Sequence, residues 1–143
     1  MNCIRAGLLA LVALIFMAPA ASQAKGQADA RSSAAFAEVL LRKTELLADA
    51  ESLSESYTDT NPKMLDLRYE VAALDRYLKR IVGIQGPDVS KLTLALGKLM
   101  VRRASLDTEV SRLGRTLNVD HPDYKRAKKR LDVFDAAIKE ILP

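Results

Sequence analysis

Residues 61–82 read NPKMLDLRYEVAALDRYLKRIV, with apolar side chains at Met64, Leu67, Val71, Leu74, Leu78 and Ile81. Steps of three and four place these six along one side of an α-helix, whereas on a strand they would scatter over both faces. No polar residue interrupts the seam. Asn61 can accept one of the free backbone N–H groups that open a helix, and Pro62 suits the first helical position, where its missing N–H costs nothing. A helix with one apolar ridge is marginal alone in water, so this segment requires a neighbour.

The preceding segment supplies it. Phe36, Val39, Leu46, Ala50, Leu53 and Tyr57 keep the same rhythm, with Lys43 as the one charged interruption. Only Thr58-Asp59-Thr60 separates Tyr57 from the Asn-Pro cap, a connection so short that the two helices must run antiparallel and side by side. After Ile81 the run Gly83-Ile84-Gln85-Gly86-Pro87 breaks the helix, and Asp88 offers a cap for the next one.

The rhythm then returns. A third helix carries Leu92, Leu96, Leu99, Leu106, Val110, Leu113 and Leu117, with Arg103 as its charged interruption. A fourth carries Tyr124, Ala127, Leu131, Phe134, Ile138 and Ile141, and Asn118-Val119-Asp120-His121-Pro122 separates the two. At an offset of 60, Leu46 falls on Leu106, Leu53 on Leu113, Pro62 on Pro122, Asp75 on Asp135 and Ile81 on Ile141. The shared phase, proline turn and basic interruption read as an internal duplication, although identity elsewhere is low.

The expected fold is therefore all-α: two tandem antiparallel helical hairpins, coiled-coil-like, packed as an elongated four-helix bundle. Hairpin 1 covers 35–82, a Gly/Pro linker 83–88 and hairpin 2 89–143. The ridges are long enough to form a folded core whether the hairpins meet within one chain or between chains, and that choice stays open.

The first residues, MNCIRAGLLALVALIFMAPAASQAKG, combine a charged start at Arg5, an apolar run of roughly 13 residues, and small residues ending at Ala24. This is expected to be a secretory signal over 1–24, removed to leave a flexible segment over 25–34. Retention as an anchor is the alternative, disfavoured because a spanning helix needs roughly 20 apolar residues. The only cysteine, Cys3, lies before the apolar run and would be lost, leaving no disulfide or thiol chemistry. The expected location is the bacterial periplasm.

The net charge of +4 is too small to imply a polyanion partner by itself. The charge is unevenly divided, however: residues 36–82 carry seven basic and nine acidic side chains, residues 96–142 eleven and seven. Opposite signs favour packing of the halves on each other or head to tail between chains.

No nucleophile stands beside a base, no glycine-rich phosphate loop is present, and neither catalytic residue nor cofactor is expected. His121 has no second histidine to share a metal and reads as a turn residue. The basic run Lys125, Arg126, Lys128, Lys129 and Arg130 avoids the seam positions. It reads as a solvated helix face, with anionic polysaccharide or lipid headgroups as the alternative partner; export removes nucleic acid from consideration. The packing seam itself, through Leu67, Val71, Leu74, Leu78, Leu99, Leu106, Leu113, Leu131, Phe134 and Ile138, is the expected site of association. Lys43 and Arg103 either fix register there or extend to solvent.

The stretch from Leu53 to Leu74, LSESYTDTNPKMLDLRYEVAAL, resembles the periplasmic coiled-coil hairpin of polysaccharide chain-length determinant and exopolysaccharide export proteins. In that family a long helix ends near a Tyr, a polar turn carries His-Pro or Asn-Pro, and an amphipathic helix returns. Here Asn61-Pro62 matches the turn in the first copy and His121-Pro122 in the second. The resemblance covers about 30 residues per copy and implies oligomerisation and contact with envelope or polysaccharide machinery, with no catalytic residue to carry over. The chain departs from the family in repeating the hairpin and in lacking its flanking membrane-spanning helices and kinase. The expected function is a non-catalytic exported protein that associates with itself or an envelope partner; a chaperone-like or apolar-ligand-binding bundle is the alternative.

Overall fold

The computed structural model describes residues 29–143, and all regular structure in them is helical. The expected signal over 1–24 lies outside these residues. Four long helices follow one another: α1 (Ala34–Ser54), α2 (Pro62–Val82), α3 (Leu94–Gly114) and α4 (Pro122–Ile141). Short 3-10 turns cover Ala30–Ser32 and Gly86–Lys91.

The offset of 60 extends to the backbone. α1 and α3 each have 21 residues and begin 60 apart; α2 and α4 do likewise, with 21 and 20. The caps match in place. Ser33 accepts from Phe36 N and Thr93 from Leu96 N; Asn61 accepts from Lys63 N and His121, through Nδ1, from Asp123 N. In both tips the peptide N–H of the final seam residue closes back on the leucine four residues earlier, Tyr57 N on Leu53 O at 2.9 Å and Leu117 N on Leu113 O at 2.7 Å.

Two boundaries differ from expectation. Thr93, not Asp88, caps α3, because the chain after Gly86 first makes a 3-10 turn in which Asp88 pairs with Lys91 at 2.7 Å. Residues 29–34, expected within a flexible segment, are held in place: Asp29 caps the first short turn, Ala30 is buried, and Ser33 starts α1. Tyr57, expected in the first seam, is exposed because α1 ends at Ser54 and the tyrosine falls in the turn.

The hairpins pack within one chain. α1 pairs with α2 and α3 with α4, while α3 also lies against both α1 and α2 and so forms the centre of the bundle. The seams are covered as their spacing requires. Leu74, Leu106, Leu131 and Ile138 are buried, and Leu67, Val71, Leu78, Leu99, Leu113 and Phe134 are partly buried against them.

A second set of buried residues makes the joint between hairpins. Gly97 lets α3 approach α1 so closely that a Cβ there would stand 2.9 Å from Ala35 Cα and from Glu38 Cβ. Met100, Ala104 and Thr108 continue this face of α3, while Glu70, Ala73 and Tyr77 are buried on α2. The side chain of Asp66 on α2 pairs with Arg115, and that of Arg76 with Asp107 at 3.8 Å. Arg80 Nη2 donates to Leu142 O at 2.7 Å, tying the end of α2 to the residue after α4.

Candidate interaction surfaces

The two charged interruptions of the seams are paired across their own hairpins at matching places. Lys43 Nζ lies 2.6 Å from Asp75 Oδ1 in the first. In the second, Arg103 lies 3.1 Å from Asp107 and, through Nε, 3.4 Å from Asp135, 60 residues beyond Asp75. The approach of Nε to Asp135 is an ionic contact without a hydrogen bond. Each of these basic side chains, 24 % exposed, reaches a carboxylate across its own hairpin rather than extending alone into solvent. The hydrogen bond from Lys139 holds the Asp135 carboxyl below the usual range, with the positive charges of Lys139 and Arg103 acting the same way against burial. Burial beside this cluster pushes the Tyr77 hydroxyl up from its ordinary value.

The basic run of α4 is solvent-facing but largely neutralised. Lys125 pairs with Asp120 at 2.9 Å, Arg126 with Asp123 at 3.4 Å, Lys128 with Asp132 at 2.6 Å and Arg130 with Glu109 at 3.6 Å. Among the described residues only Lys129 of the five has no carboxylate within 4.0 Å. The hydrogen bond to Asp132 raises the Lys128 ammonium above its usual range. An anionic glycan or headgroup would have to compete with four resident carboxylates.

His121 is occupied as the α4 cap, through the 3.2 Å bond to its Nδ1. Among the described residues no group of three or more His, Cys, Asp or Glu is arranged to hold a metal ion, and no helix is long and apolar enough to cross a membrane. The space where α1, α2 and α3 meet is filled by Leu74, Ile81, Leu96, Met100 and Ala104, none with measurable exposure. A groove of about 290 Å³ does run between α1 and α2, past Leu47, Ala50, Met64 and Val71, but it opens to solvent.

The outer face of α1 is different in kind. Ala37, Leu40, Leu41, Thr44, Leu47 and Ala48 share one side of the helix and carry no charge. Leu40, Leu41 and Leu47 are 42, 58 and 47 % exposed. Scattered exposed leucines are ordinary, but several along one helix face, uncharged from Ala37 to Ala48 and ended by Glu51, form a patch of the kind that marks association. A single seam per helix does not reveal this face, because α1 is apolar on two sides. No family model, curated protein or solved structure matches the chain.

Proposed function

We propose that the chain is an exported, non-catalytic helical-hairpin protein that acts by offering helix faces to another protein, either itself or a component of the cell envelope. The uncovered face of α1, apolar or uncharged from Ala37 to Ala48, carries this reading. Burying three half-exposed leucines on a partner is worth several kcal/mol by area, before the entropic cost of association is subtracted. The signal-like first residues support export. The resemblance of the proline-turn hairpins to polysaccharide export and chain-length proteins supports an envelope setting and oligomerisation.

A photo-crosslinking residue at Leu41, with Lys128 on the far side of α4 as a surface control, tests the proposal in intact cells. Capture of protein from position 41 and not from 128 is the expected result. Absence of any product at 41, in cells where the protein is folded and abundant, overturns it. Fractionation checks export, since processing after Ala24 shortens the chain by a mass that spectrometry reads directly.

A further inference from the structure

We infer that the chain binds further copies of itself head to tail, by repeating between molecules the contact that joins its own two hairpins. This deepens the association reading and rests on it.

Within the chain, hairpin 1 offers a face that α3 receives. Shifting each side by the 60-residue repeat shows what has no neighbour. The receiving residues Gly97, Met100, Ala104 and Thr108 correspond to Ala37, Leu40, Thr44 and Ala48, which form the open face of α1. Met100 has no measurable exposure and Leu40 is 42 % exposed. The offering residues are Ala35 and Glu38 on α1 and Asp66, Ala73 and Tyr77 on α2; they correspond to Ala95 and Lys98 on α3 and to Arg126, Val133 and Ala137 on α4. Ala73 is 2 % exposed, and Val133, which takes its place, is 67 % exposed. Both ends of the molecule therefore keep apolar groups where the repeat would bury them.

The ion pairs of the internal joint change in step. Asp66–Arg115 becomes Arg126 on one molecule and Glu55 on the next, reversed in sign yet still opposite. Arg76–Asp107 becomes Ala136 and Leu47, both charges gone together. Faces meant only for water have no reason to vary as pairs. The acidic excess of the first hairpin and the basic excess of the second favour the same head-to-tail order. Ala37 in place of Gly97 adds a methyl where the internal contact is tightest, so the contact between molecules is wider and weaker than the one within. Because the two faces differ, the contact is heterologous and propagates beyond a dimer.

Sedimentation velocity on the purified full chain over a concentration series tests this. Mass growing past the dimer with concentration is expected. Leu40→Glu and Val133→Glu change exposed side chains, so each should keep the circular dichroism spectrum and melting temperature while weakening association more than about tenfold. Mixed together they should form heterodimers that grow no further, because the first keeps a sound α4 face and the second a sound α1 face. Glu55→Arg and Arg126→Glu should each weaken association, and the double variant should recover it.

A Val133→Glu protein that associates like the unaltered chain points to a symmetric α1-to-α1 contact and overturns the inference. Wild-type protein that is monomeric at every concentration overturns it too. If that monomer still crosslinks through position 41 to an envelope protein, the broader reading stands; if it captures nothing, both fall.

Discussion

Replacing Gly97 by alanine adds one methyl group in the first turn of α3, where propensity alone favours the change by up to about 1 kcal/mol. The structure reverses the sign. The new Cβ would stand 2.9 Å from Ala35 Cα and Glu38 Cβ and 3.1 Å from Ala35 O, none of them the free end of a flexible side chain. Carbon atoms rest at about 3.5–4.0 Å, so α1 and α3 must separate by roughly 0.6–1 Å at this point. Ala35, Val39, Met100 and Ala104 beside it have no measurable exposure, and a gap of that size forfeits about a quarter to a half of each dispersion contact across it. Overpacking of this kind costs about 2–3 kcal/mol, and after the gain in propensity a net loss of about 1–2 kcal/mol remains. For a domain of this size the midpoint should fall by about 4–8 °C in a melt followed by circular dichroism at low protein concentration. Ala37→Gly, at the matching exposed place in α1, should cost only the propensity difference of about 1 kcal/mol. A Gly97→Ala protein that melts above the unaltered chain would show that the helices do not approach as described.

Four further outcomes follow from the ion pairs, the Asp135 carboxyl, the α4 cap and the buried tyrosine. Arg103→Met leaves Asp107 and Asp135 without their shared partner and should cost about 1–3 kcal/mol in urea unfolding, whereas Lys43→Met should cost less than about 1 kcal/mol because Asp75 is 42 % exposed and alone. The folded-state depression of Asp135 from 3.8 contributes stability that is present above that pH and lost as pH falls through the lower folded value, so Asp135→Asn should flatten the acid limb of the stability profile. His121→Asn puts at the α4 cap the residue that already caps α2 and should raise stability by about 0.5 kcal/mol in the same melt; a loss would mean the imidazole does more there than accept one N–H. Tyr77 ionises first in the unfolded chain, at its ordinary value of 10.0, so stability should fall as pH rises beyond 10, and Tyr77→Phe should remove that part of the alkaline loss.

The seams, the antiparallel hairpins and the 60-residue spacing of the helices were legible in the amino-acid order because each depends on neighbours within one helix or across one short turn. Leu74 and Leu106 had to be covered by the helix they face across the turn, and the proline tips left no room for another topology. The joint between hairpins was not legible as a joint, although Gly97, Met100, Ala104 and Thr108 do recur in steps of three and four. Beside the stronger leucine seam of α3 that second stripe of small residues reads as the helix's outer side.

Only the tertiary structure decided that α3 is the central helix, that Arg103 faces two carboxylates, and that the equivalent side of α1 stays uncovered. Helix periodicity states which residues leave water together, a property local to the chain. It does not state which distant surface receives them, because that depends on how closely two backbones can approach. Here a glycine at 97, opposite Ala35, settles that distance.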